Sequence, residues 1–223
     1  MATIPTLMNE ALSHYAEQYF SSENEELKQL LHEAELAGIP SISIGGVQGA
    51  FLQMLIHLID AKTVVEIGSL AGYSAITMAL AMKDGGIVHC YEKESEFCEF
   101  IKMQSSRMNI QDRICIHDGD ASNSLQTDIP KNIDMIFIDA DKPSYIHYAE
   151  LLIPSLRSGG LLIGDNALAW GYVADEHPEF EPENVQGIQA FNQFVIKHPA
   201  LYAPAIVPLG DGMCIAIKKI MQS

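Results

Sequence analysis

The stretch FIDADKPSY, Phe137 to Tyr145, ends an apolar run in two carboxylates and an amine, Asp139, Asp141 and Lys142. A second apolar run, LLIGDN, finishes at Asp165 and Asn166. If both runs are strands of one sheet, Asp139, Asp165 and Asn166 converge on one edge. Hard carboxylate and amide oxygens suit Mg²⁺, Mn²⁺ or Ca²⁺ rather than zinc, which prefers nitrogen and sulfur. Three protein ligands leave open positions in an octahedron, which two adjacent substrate hydroxyls and water could fill. Lys142 beside such a hydroxyl could serve as a base once neighbouring positive charge lowers its pKa. Taken singly, each of these residues also reads as turn chemistry. An Asp-Asn pair caps or turns a chain, and acids at strand ends face water. Asp141 is expected to be of that kind, hydrogen-bonding the local backbone.

A second group of residues lies earlier in the chain. Glu66-Ile-Gly-Ser-Leu-Ala-Gly-Tyr-Ser74 places glycines where an apolar run gives way to a helix, so that backbone can approach a ligand closely. The spacing is GxxxG, not the GxGxxG that cradles a pyrophosphate. Glu92 ends the next apolar run, placed to accept hydrogen bonds from two ribose hydroxyls. DGDAS, Asp118 to Ser122, ends the one after it and could border an adenine ring. Any one of these is an ordinary turn or a solvated acid. Together, at consecutive strand ends, they favour an adenosine cofactor without a pyrophosphate. S-adenosylmethionine fits, with Glu66 and the turn facing its amino-acid end. A nicotinamide-dependent oxidoreductase shares the strand-glycine-helix logic, but the GxxxG spacing and the two-strand oxygen cluster count against it.

The elements that must position these groups follow from periodicity. Glu23 to Leu36 carries Leu27, Leu30, Leu31 and Ala34 at helical spacing, stopped by Gly38 and Pro40. Val47 to Asp60 reads as a second helix. Strand, glycine turn and apolar helix follow from Lys62. The alternation repeats through GIVHCYE, a helix over Glu94 to Asn109, RICIHDGD, a short helix, IDMIFIDAD, a helix over Ser144 to Arg157, and GGLLIGDN. Such alternation implies crossover units and a parallel sheet with helices on both faces. Near the end, two apolar runs flank Gly210-Asp211-Gly212, a hairpin signal that predicts an antiparallel edge pair. Asp175 to Asn184 reads as an exposed acidic loop.

The chain has 223 residues, 48% hydrophobic and 19% charged, enough for a large core in one domain. Its net charge of −16, from 29 acids and 13 bases, repels phosphate backbones and disfavours nucleic acid. Cys90, Cys98, Cys115 and Cys214 show no CxxC or zinc-like spacing and are expected to be reduced core residues. The N-terminal residues lack a basic segment followed by an apolar one, and no apolar run approaches the ~20 residues that span a bilayer. A cytoplasmic protein without membrane contact is expected.

The stretches VVEIGSLAGYSAITMALAM, YEKESE, GDA, FIDADK, GGLLIGDN, AFNQFV and PLGDGM, in that order from roughly Ser41 to Lys218, resemble the cation-dependent O-methyltransferases, the family of catechol and caffeoyl-CoA O-methyltransferases and bacterial relatives. The resemblance implies a Rossmann-like class I methyltransferase fold. Its seven-stranded, mostly parallel sheet would end in an antiparallel hairpin, residues 1–223 would form one domain, and 1–40 a helical extension. It implies that Glu66, Gly68, Ser74, Glu92, Asp120, Ala121 and Asp139 hold S-adenosylmethionine, Asp120 and Ala121 near the adenine. Asp139, Asp165 and Asn166 would ligate Mg²⁺, or Mn²⁺ or Ca²⁺ in its place, with Lys142 as general base, Asp139 beside it in the catalytic group, and in-line methyl transfer. A small catechol-like or phenylpropanoid substrate and a homodimer are the family expectation. A tRNA hydroxyuridine methyltransferase and a catalytically silent cofactor-binding protein are the alternatives. Two departures stand out: Gly45-Gly46 replaces the Ser-Pro usual in the segment that covers the cofactor, and Trp170, expected to wall the substrate pocket, sits one position later than in many bacterial relatives. His117 and His147 are expected to be packing or surface residues.

Overall fold

The computed structural model describes residue 6 and residues 8–220. Residues 1–5, 7 and 221–223, which include the start of the expected extension, lie outside the described residues. The chain opens with three helices, α1 (Glu10–Phe20), α2 (Glu25–Leu36) and α3 (Gly46–Ile59). Asn9 and Asn24 cap the first two through their side chains. Strands and helices then alternate: β1 (Thr63–Ile67), α4 (Tyr73–Ala81), β2 (Ile87–Glu92), α5 (Ser95–Arg107), β3 (Ile114–Asp118), α6 (Ala121–Ser124), β4 (Ile133–Ile138), α7 (Tyr145–Leu152) and β5 (Leu156–Gly164). α8 (Pro182–Lys197), β6 (Leu201–Val207) and β7 (Met213–Lys218) complete the chain.

The seven strands lie in the order β3-β2-β1-β4-β5-β7-β6. β1 to β5 run parallel, and β7 joins β5 and β6 antiparallel, as the hairpin signal predicts. β4 is buried at every position, its one polar residue Asp134 included, as expected of an inner parallel strand covered on both faces. The sheet separates two cores. Val64, Met135 and Ile163 face α2 to α5 on one side. Val65, Ile136 and Leu162 face α7 and α8 on the other. No helix among the described residues is long and apolar enough to cross a membrane.

Two boundaries differ from the sequence reading. The expected helix from Ser144 to Arg157 ends at Leu152, because Pro154 cannot continue it and the chain turns through a short 3-10 segment. β5 then begins at Leu156, and Arg157 reaches back to pair with Asp134 at the base of β4. The acidic loop expected to run to Asn184 is cut short by α8, which starts at Pro182, a residue preorganised for the first helical position. The cysteines are all free, but Cys115 is only half-buried, beside His117, and so is not a core residue. His147 lies on the surface.

Gly45-Gly46 has a packing role. They form the cap and first residue of α3, and a side chain at Gly46 would overlap the Ser21 hydroxyl. The missing side chains let the end of α1 lie directly on α3, where the Ser22 amide donates to the Gly46 carbonyl at 3.0 Å.

Candidate active site

The strand order reverses between β1 and β4: β2 and β3 extend the sheet one way, β5 the other. Ligands of open α/β sheets bind beyond the strand ends at such a point. A cleft of about 1040 Å³ opens there. Backbone bonds tie the strand ends together beneath it. The Gly68 amide donates to the Tyr91 carbonyl at 2.9 Å, the Gly119 amide to Glu92 at 2.9 Å, the Asp139 amide to Ile67 at 2.9 Å, and the Asp165 amide to Ile138 at 3.0 Å. The residues that end five adjacent strands are thereby fixed on one floor.

The glycine turn is pressed against β4. Gly68 has φ +85°, and a Cβ there would overlap the Asp139 carbonyl, so only glycine brings β1 this close. Glu92 is buried and its carboxylate accepts from the Leu70 amide at 2.8 Å and the Glu94 amide at 2.9 Å, which orients it across the turn. Asp120 caps α6 by accepting from the Ser122 amide at 2.7 Å. Gly68, Ser74, Glu92, Asp120 and Ala121 all line the cleft. Glu66 does not. It is fully buried beneath the turn, where Ser69 donates to Oε2 at 2.6 Å and Oε1 has no partner. Burial pushes its carboxyl up to about 7.

The oxygen cluster assembles as the sequence spacing predicts: Asp139, Lys142, Asp165 and Asn166 line the same cleft. Lys142 Nζ donates to Asp139 Oδ1 at 2.9 Å and to the Tyr145 hydroxyl at 2.9 Å. Asp165 is buried and accepts from Gln48 Nε2 at 3.0 Å. Burial, reinforced by the charge of Asp139, raises its carboxyl to about 7. Asn166, at φ +57°, donates to Asp211 Oδ2 at 3.3 Å, and the Trp170 amide donates to both Asp211 oxygens at 2.9 Å. Two acids forced together, a third beside them through Asn166, and one lysine form an oxygen-rich donor set short of positive charge. A hard divalent cation fits it.

Three members of this group escaped the sequence reading. Asp211 comes from the hairpin turn, Gln48 from the first turn of α3, and Tyr145 from the start of α7. The motif PLGDGM contained the signal for Asp211, an acid between two glycines at a turn that otherwise needs none. Asp141 accepts from the Tyr148 hydroxyl at 3.1 Å through its side chain, in place of the expected local backbone bond. Trp170 lines the cleft, its ring edge-on to Phe180 at 5.7 Å, and Tyr172 also stacks on Phe180.

Residues 17–219 match the family model described as O-methyltransferase. The chain is 34% identical to a catechol O-methyltransferase of Niastella koreensis over 94% of this chain and 97% of that protein. It is 29% identical to a caffeoyl-CoA O-methyltransferase of Populus kitakamiensis, covering 94% of each. Its fold superposes with TM-score 0.86 on an O-methyltransferase of Bacillus cereus solved in complex with SAH, 30% identical, over 94% of this chain and 97% of that one.

Proposed function

This chain belongs to the O-methyltransferase family, and from that premise we propose that it is a divalent-cation-dependent enzyme that methylates one hydroxyl of a small catechol-like or phenylpropanoid substrate, with S-adenosylmethionine as donor. The observation that carries the reading is the convergence, in one cleft, of a glycine turn and acid at β1 and β2 with Asp139, Lys142, Asp165 and Asn166 at β4 and β5. The bound SAH in the Bacillus cereus relative and the catechol and caffeoyl-CoA names of the others support the choice of donor and acceptor.

In this reading Gly68, Ser74, Glu92, Asp120, Ala121 and Asp139 face the donor, and Glu66 holds the turn from beneath through Ser69. The donor supplies a methyl carbon already activated by its sulfonium. Asp139, Asp165 and Asn166 would hold one divalent cation, whose charge would favour the ionised form of an adjacent substrate hydroxyl. Lys142 is the general base: as free amine its Nζ takes the proton from the substrate hydroxyl, with Tyr145 and Asp139 holding it in place. The remaining work is alignment of oxygen, methyl and sulfur, which the strand ends fix without a covalent enzyme intermediate. Trp170, packed edge-on against Phe180, offers an apolar wall for an aromatic ring.

In this reading the chain is one catalytic domain, and two copies of it pair. α1 buries none of its residues, and Tyr15, Tyr19 and Phe20 are all more than half exposed, an apolar face that a second copy would cover. Sedimentation of the full chain tests that pairing. The catalytic reading is tested by methyl transfer from labelled S-adenosylmethionine to a panel of catechols and caffeoyl esters, with Mg²⁺ and with chelator, for the wild type and Asp165→Ala. Activity on a vicinal diol that disappears with chelator and in the variant is expected. Turnover indifferent to both would overturn the cation assignment.

A further inference from the structure

His89, Cys115 and His117 stand apart from the cleft chemistry. β2 and β3 pair so that His89 lies opposite Cys115 and Tyr91 opposite His117, which puts all four side chains on one face at the sheet's edge. The alternate residues Val88, Cys90, Ile114 and Ile116 pack into the core on the other face. The sulfur and one nitrogen from each ring lie within 4.8 Å of one another, and all three residues are partly open to solvent. His89 Nδ1 is 3.1 Å from His117 Nε2, and Cys115 Sγ is 3.7 Å from that same nitrogen.

The two contacts to His117 match edges of a coordination shell, and the third edge, from His89 to Cys115, lies within 4.8 Å. Tetrahedral zinc, with bonds of ~2.0–2.1 Å to nitrogen and ~2.3 Å to sulfur, sets nitrogen–nitrogen edges near ~3.3 Å and nitrogen–sulfur edges near ~3.6 Å. The ring of His117 is also held: it stacks flat on Tyr91 at 4.2 Å and 3°, and the Tyr91 hydroxyl donates to the Asp128 carbonyl at 3.0 Å. Such outer contacts fix ligand orientation in metal sites.

We propose that His89, Cys115 and His117 form a second metal site, selective for a borderline transition-metal ion such as Zn²⁺ and clamping the edge strand β3 to β2. Two imidazoles and one thiolate fill three positions of a tetrahedron, and water takes the fourth. Binding displaces the thiol proton to solvent as the metal–sulfur bond forms, with no change of oxidation state. The donor set rejects Mg²⁺, just as the oxygen cluster at β4 and β5 favours it. The clamp lies on the strands that lead into Glu92, Gly119 and Asp120, so it would stiffen one wall of the cleft without touching reacting groups.

The test uses the full chain, reduced, stripped with chelator and equilibrated with excess Mg²⁺, then titrated with Zn²⁺ by calorimetry and with Co²⁺ by absorbance. One Zn²⁺ per chain, a rise in thermal midpoint and a thiolate-to-cobalt charge-transfer band are expected. Cys115→Ser and His117→Gln should each weaken Zn²⁺ by more than about 100-fold, beyond the range for losing an outer contact, while Asp165→Asn leaves it unchanged. Circular dichroism of the metal-free variants separates lost ligation from lost fold. If both variants fail to fold, the wild-type cobalt band decides, because the other three cysteines are buried. Absence of that band, or Zn²⁺ binding that survives both substitutions and is lost in Asp165→Asn, would overturn the proposal.

Discussion

At the level of single residues, Glu66 is under the greatest electrostatic strain in the turn. It is fully buried, one oxygen lacks a partner, and its carboxyl is raised from near 4.5 to about 7. A raised acid stabilises the fold fully below its unfolded pKa, and that contribution is lost as pH climbs through about 7. At ~1.4 kcal/mol per pKa unit the loss amounts to about 3 kcal/mol. Glu66→Gln keeps the shape without the titration. In urea melts of the ligand-free protein, the variant should therefore gain about 3 kcal/mol relative to wild type between pH 4 and pH 9; parallel pH profiles would show that the carboxyl is solvated in solution. Lys142 invites a different substitution. Arginine keeps the ion pair to Asp139 but cannot give up its proton, so Lys142→Arg should lower kcat by about 10²–10⁴-fold, the range for a lost general base, with donor affinity little changed. Single-turnover rates alongside donor titrations separate the two effects.

At the level of elements, two glycines make contrasting demands. Gly68 meets rigid backbone: its left-handed φ and the Asp139 carbonyl leave no room, so Gly68→Ala should cost about 2–5 kcal/mol and loosen the junction of β1 and β4. Gly46 meets the Ser21 side chain, which can rotate, and alanine favours a helix. Gly46→Ala should change stability by no more than about 1 kcal/mol yet free α1, seen as faster amide exchange over Glu10–Phe20 while the sheet stays protected. The same contrast marks what could be read from sequence. Asp139, Asp165 and Asn166 were legible because each follows an apolar strand run, and strand order then brings those ends together. Gln48 and Asp211 were not: they reach Asp165 and Asn166 across 117 and 45 residues, through packing that no local spacing reveals. The start of β5 and the start of α8 were misread although prolines marked both, Pro154 ending a helix and Pro182 opening one.

At the level of the whole molecule, the net charge of −16 acts with the acids of the cleft rather than apart from them. A cleft floored by Asp139, Asp165 and Asp211, inside a protein of that charge, concentrates cations and excludes polyanions. A divalent ion or a sulfonium donor would be drawn inward, whereas a tRNA backbone would meet repulsion over most of the surface. Salt distinguishes this long-range field from contact within the cluster. Between 0.1 M and 1 M the Debye length falls from ~10 Å to ~3 Å, which removes the surface contribution and leaves the buried pairs nearly intact. The Mg²⁺ concentration for half-maximal methyl transfer should therefore rise several-fold over that range, while filter retention of tRNA stays negligible even at the low end. A half-saturation indifferent to salt would place the whole of cation affinity in the strand-end oxygens, and the acidic surface would then serve solubility rather than recruitment.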